Sequence, residues 1–234
     1  MDTRIRQVVV NWPQLVADSI EERLDVEGFR FPGQASADED LWRIWQANDL
    51  DEQSQQGQLD ALVMKRSFVV VGTRDDDEDD IPLITVESAL DMHAEHDPRT
   101  RKVAAAVKRW CESDTPDKID HATLYLPEST SWWVKDRGGV WLPDPDHVID
   151  EHGLGEVPVV VLANRPRLKV PGGVSELKPI LPLSDACCKI ATDMMVSAEY
   201  HATPRRVAFG FGEEDFQDEQ GRRVSAFSRI IGRM

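Results

Sequence analysis

The chain has 234 residues, 41% hydrophobic and 30% charged, enough apolar material for one or two folded units, so disorder is not the default. Its 27 basic and 43 acidic residues leave a formal charge of −16, which argues against the broad basic face of a tight phosphate-binding protein. The same charge does not exclude DNA passing nearby, and an acidic surface is also simply a soluble one.

Three cysteines, Cys111, Cys187 and Cys188, give no even-numbered disulfide framework and no CxxC zinc spacing. The first residues have no apolar core with a cleavage site, and nowhere do eighteen apolar residues run together. A reduced cytosolic setting without a membrane span is the expectation.

In chain order, residues 11–24 predict a helix with Asn11 as N-cap, Pro13 in the first turn, and Trp12, Leu15, Val16, Ile20 and Leu24 along one face. A second helix starts at Asp38 or Asp40, carries Leu41, Trp42, Ile44 and Trp45, and ends near 48–50. A third runs from Asp51 to Met64, where Gly57 weakens its continuity.

From Ser67 the pattern turns to strands: SFVVVG and PLITVES flank the acidic stretch Arg74 to Asp80. DPRTRK reads as a turn, HATLYL and WWVKD as strands, Gly138-Gly139 as a hairpin turn and VPVVVLANRP as a buried strand. VAAAVKRW, Val103 to Trp110, fits either a helical face or an alternating strand. Pro171 to Pro182 is a Pro/Gly-rich connector, and Leu183 to Thr203 is the longest helical pattern, capped by Ser184 or Asp185 and stopped by Pro204. The tail opens with strand-like RRVAFGF and closes with the Arg-rich SAFSRIIGRM.

Reactive motifs are weak. The run Asp75 to Asp80 offers oxygen ligands but lacks the spacing of a calcium loop, so a solvated hairpin loop is the better reading. His93, Glu95 and His96 fail the H-E-x-x-H spacing of a zinc helix. Cys187 and Cys188 point about 100° apart on a helix and read as packing residues. G-x-S-x-G, P-loop and dinucleotide signatures are absent, and FGFG at 209–212 follows no strand–helix unit. Seven tryptophans is a high number for this length; core packing explains most of them and an oligomer interface the surplus, and the adjacent Trp132 and Trp133 on a strand face opposite sides, one toward the core and the other toward a partner or a second layer.

The order of blocks resembles the portal proteins, or head-to-tail connectors, of siphovirus-type tailed phages, especially those of actinobacterial phages and prophages. The likeness is carried by NWPQLVADSIEERLDVEGFRF at 11–31, DLWRIWQANDLDEQSQQGQLDALVMKRSFVVVG at 40–72, ITVESA at 84–89 and DPRTRKVAAAVKRW at 97–110. It continues in HATLYLPE at 121–128, LGEVPVVVLANRPRL at 154–168 and SELKPILPLSDACCKIATDMMVSAEYHATPRRVAFG at 175–210.

The resemblance implies an α+β portal-like subunit: N-terminal wing helices at 1–66, a mainly antiparallel β wing part at 67–180 with VAAAVKRW as a strand, a long stem helix at 181–204, and the start of a clip at 205–234. It implies a homo-oligomeric ring, typically a dodecamer, at one capsid vertex, assembled in the host cytoplasm. Its implied partners are the terminase large subunit, a head-completion adaptor, capsid and scaffolding proteins, and double-stranded DNA passing without sequence-specific binding. No cofactor, metal or catalytic residue is implied.

Asp185, Lys189, Asp193 and Glu199 are the candidate subunit-interface or channel-side residues, and Arg205 and Arg206 the candidate clip or partner-facing ones. Family members usually continue for about as many residues again, so the chain reads as a truncated product or a fragment. Ile190, Met194, Val196 and Tyr200 would then lack full local cover. Two rival readings are a metal-dependent hydrolase using the acidic loop with His93 and His96, and a monomeric interaction module with a tryptophan-rich β part.

Overall fold

The computed structural model describes residues 9–74, 81–112, 119–147, 149–202, 216–217 and 220–223. It divides into two compact units, Val10–Cys187 and a second made of Met1–Val9 with Cys188–Met234. The first contains all the sheets and is mixed α and antiparallel β.

It opens with helices α1 (Trp12–Glu21), α2 (Glu39–Ala47) and α3 (Leu50–Met64). In α1 the expected apolar stripe is only partly covered: Val16 and Ile20 are half-buried, Trp12 and Leu15 are exposed, and Ala17 beside them is the residue enclosed. A small side chain permits the close approach of α1 to α3. Asn11 makes no cap bond to the backbone and instead donates to the Gln14 carboxamide. For α2 the cap is Asp38, whose Oδ1 accepts the Leu41 N–H at 2.9 Å. Trp42 and Trp45 stack with centroids 6.3 Å apart, and Phe29 lies 5.3 Å from Trp45.

Gly57 leaves α3 unbroken because the site needs the absence of a side chain. A Cβ there would lie 2.5 Å from Val86 Cγ1, and the Gly57 carbonyl accepts the buried Ser67 hydroxyl at 2.7 Å. Gly57→Ala gains helix propensity of about 1 kcal/mol yet forces a stiff β-branched neighbour aside. Net destabilisation of about 1–2 kcal/mol is expected, read as a lower denaturant midpoint with an unchanged slope.

Strands β1 (Arg66–Gly72), β2 (Leu83–Ser88) and β8 (Val159–Ala163) form an antiparallel sheet in the order β2-β1-β8. The second sheet runs β3 (Met92–His96), β4 (Val103–Glu112), β5 (Ile119–Tyr125), β6 (Thr130–Lys135) and β7 (Trp141–Pro143), paired in chain order. VAAAVKRW is therefore strand, within β4. The turn before β4 is held by Asp97 Oδ1, which accepts the Thr100 and Arg99 N–H groups at 2.6 and 2.8 Å, and these bonds hold its carboxyl below its ordinary value.

The core joins the two sheets through Phe68, Val70, Met92, Ala94, Ala106, Val157 and Val159. VPVVVLANRP, expected to be buried, is buried on one face only: Val159 is enclosed, while Val160 and Leu162 are exposed. The expectation came from an uninterrupted apolar run, which a strand of a one-sided antiparallel sheet does not require. Trp132 and Trp133 do face opposite sides, but both remain partly exposed, so neither is a core residue. Trp132 stacks on His147 at 5.5 Å, and Trp133 donates to Ser131 Oγ at 3.0 Å.

Candidate assembly surfaces

The last helix, α4 (Leu181–Ala202), begins two residues before the Leu183 at which the helical sequence pattern opens. Leu181 N–H bonds to the Leu177 carbonyl at 3.0 Å and Ser184 N–H to the Ile180 carbonyl at 2.9 Å, so a preceding turn feeds the helix directly. Pro182 suits such a first turn, where its missing N–H has no partner to lose. Neither Ser184 nor Asp185 is the cap. Both lie inside α4, and Ser184 is buried with its hydroxyl donating to the Val10 carbonyl at 3.0 Å.

Upstream, the Pro/Gly-rich connector is a built junction that closes the C-terminal end of α3. Glu176 N–H reaches the Leu62 carbonyl at 2.9 Å, Ser175 Oγ the Val63 carbonyl at 2.6 Å, and Asn164 N–H the Lys65 carbonyl at 2.9 Å. Asn164 Nδ2 then donates to the Val174 carbonyl at 2.8 Å and to Glu176 Oε1 at 3.0 Å. The last carbonyls of α3 thus find donors that the helix cannot supply. The sequence signal was present in Asn164 and Gly172-Gly173, but its partners are about a hundred residues away along the chain.

Asp185, Lys189, Asp193 and Glu199 all lie at exposed positions of α4. The first three stand at four-residue intervals, the spacing at which opposite charges meet on one helix face. Among the apolar residues Leu183, Ile190, Met194 and Met195 are exposed, Ile190 at 60% and Met194 at 67%. Val196 is partly covered. Arg205 and Arg206 lie outside the described residues, as do the acidic run Asp75 to Asp80 and RRVAFGF.

His93 and Glu95 share one face of β3, with His93 Nε2 3.4 Å from Glu95 Oε1 and Nδ1 3.2 Å from Arg66 Nη2. A bulge separates Glu95 from His96. Among the described residues no group of three or more His, Cys, Asp or Glu side chains could hold a metal ion.

Between the two sheets lies a cavity of about 490 Å³, walled by Val70, Trp110, Trp132 and Leu154 around Glu87, Lys108 and Tyr125. Lys108 Nζ is 2.6 Å from Glu87 Oε1, so its charge is compensated. Burial, reinforced by the Glu87 carboxylate, pushes the Tyr125 hydroxyl up to about 12 and keeps it neutral. A neutral phenol and a paired lysine make poor nucleophiles. Sequence reasoning missed this cavity, because it forms where strands distant in the chain come together.

Residues 1–229 match the family described as "Phage portal protein, SPP1 Gp6-like", which sets the class as phage portal protein. The portal protein of Mycobacterium phage D29 is 38% identical over 233 residues, covering 96% of this chain and 47% of that protein. The portal protein of Mycobacterium phage L5 is 37% identical over 233 residues, covering 96% of this chain and 46% of that protein. The chain belongs to the SPP1 Gp6-like phage portal protein family. It spans about half the length of these curated relatives.

Proposed function

We propose that this chain supplies the wing and the opening of the stem in a portal ring at one capsid vertex, the conduit for DNA packaging and ejection. Residues 1–66 and 67–180 form the wing, 181–204 the first stem helix, and 205–234 enter the clip. The terminase large subunit and then the head-completion adaptor dock on that ring, which meets capsid and scaffolding proteins as it assembles in the host cytoplasm. The function is geometric and needs no cofactor.

One observation carries this reading beyond the family match. The helix α4 holds apolar residues Leu183, Ile190 and Met194 in solvent beside regularly spaced charges, a surface that gains from burial against another copy. The net charge of −16 fits a conduit that releases a polyanion rather than holding it.

Paired reversal of Asp185→Lys and Asp193→Lys is expected to lower the assembled fraction at least about tenfold, since like charges meeting across an interface cost several kcal/mol. The same reversal at Asp76 and Asp77 is the control and should leave assembly unchanged. Sedimentation velocity reads both, and equal tolerance of the two pairs contradicts a ring-facing α4.

A further inference from the structure

Two corners of the sheet-bearing unit carry opposite charge. At the Arg66/Ala163 end, β1 and β8 bring together Lys65, Arg66, Arg165, Arg167 and Lys169. One carboxylate in this corner, Glu176, is already held by Arg165 and Asn164. Arg167 and Lys169 have no ion-pair partner among the described residues. Between them projects Leu168, 82% exposed. Its turn is closed by reciprocal Arg167–Val170 backbone bonds of 3.1 and 2.8 Å and anchored by Gly173 N–H on the Val170 carbonyl at 3.2 Å. Leu168 is thus a rigid apolar knob in a basic rim.

At the other end of the sheet, Val71 N–H bonds the Pro158 carbonyl at 3.0 Å. There the segment 149–154 is fixed by the Thr130–Asp150 bridge and by Gly153 N–H on the Glu128 carbonyl at 3.1 Å. It presents Ile149 and Leu154, both more than half exposed, next to Glu128, Asp150 and Glu151, and Asp150 and Leu154 open into the cavity between the sheets. This is an apolar mouth with an acidic rim. The seven residues of β1, at about 3.3 Å each, set the two ends about 20 Å apart.

We infer that the Leu168 knob of one copy docks on the acidic mouth at Ile149 and Leu154 of the next, as a head-to-tail contact. The basic corner of one copy complements the acidic corner of another, and in the ring proposed above that match repeats around the cycle. An apolar anchor inside a charged rim has the anatomy of a protein interface. The contact names an interface within the ring proposed above and therefore rests on that reading.

The test uses the full chain and two variants, R167E/K169E and E128K/E151K, each followed by light scattering. All four positions are exposed, so thermal midpoints should match the parent. Each variant alone should need about tenfold or more higher concentration to assemble. An equimolar mixture should assemble like the parent, because reversed corners then face each other in alternation. A parent that forms rings while both variants do so equally, or a mixture that fails to recover, overturns this contact and leaves the ring standing. A parent that never associates overturns the ring reading itself. Binding of a 20-base-pair duplex lost in R167E/K169E with assembly intact would reassign the basic corner to nucleic acid.

Discussion

Gly173→Ala is expected to cost about 3 kcal/mol or more and to lower the thermal midpoint by about 6–12 °C. Its φ of +79° lies where side chains are strained, and an added Cβ would sit 2.4 Å from the Lys65 carbonyl oxygen and 2.5 Å from that of Asn164. Both obstacles are backbone and cannot swing away. Relief would have to pull the 173–177 segment off the end of α3, breaking the bonds from Ser175 and Glu176 to Val63 and Leu62. The consequence extends to α4, because this junction leads directly into it. Gly172→Ala is the control: its Cβ would meet only Arg66 Nη1 at 3.4 Å, and the midpoint should scarcely move. Differential scanning calorimetry of the pair checks the argument, and equal midpoints would refute it.

Asn48→Ala should cost about 2–4 kcal/mol. Asn48 is buried, and all of its side-chain capacity is used. Nδ2 donates to the Ile44 carbonyl at 2.8 Å and the Pro82 carbonyl at 3.0 Å, while Oδ1 accepts from Arg74 Nη2 and Ile84 N–H, both at 2.9 Å. One side chain thus ties the end of α2 to the entry of β2. Truncation strands the Ile84 N–H and the Pro82 carbonyl in a partly buried site, and unpaired groups cost more than the bonds were worth. Chemical denaturation measures the loss, and a change below about 0.5 kcal/mol, ordinary for a surface position, would contradict the described network.

These two residues also mark where sequence reading stops. Local chemistry was legible: Asp38 as a cap and the turn at Asp97 follow from residues within a few positions of one another, and β1 and β2 from two successive β-branched runs. Asn48 read only as a helix end, because its second partner, Pro82, lies 34 residues away. The apolar stripe of α1 misled for the opposite reason. Periodicity identifies a face but not how deeply each residue is covered: Ala17 is enclosed and Val16 and Ile20 half-buried, while Trp12 and Leu15 stand exposed.

The proposed contact surfaces were legible unevenly. The α4 charges followed from helical spacing, whereas the Leu168 knob and the Ile149/Leu154 mouth came into view only once β1 and β8 paired. The sequence reading gave Leu168 no role, whereas the hydrogen-bonded turn between Arg167 and Val170 fixes it at the tip. The sequence-level rule that isolated exposed leucines are ordinary gave no reason to single it out.

Native mass spectrometry of the purified chain, with electron-microscopic class averages of the same sample, puts the central claim most directly at risk. A closed species at an integer multiple of 26.4 kDa, with rotational symmetry about an open centre, is the expected result. A single 26.4 kDa species that persists at high concentration would contradict it.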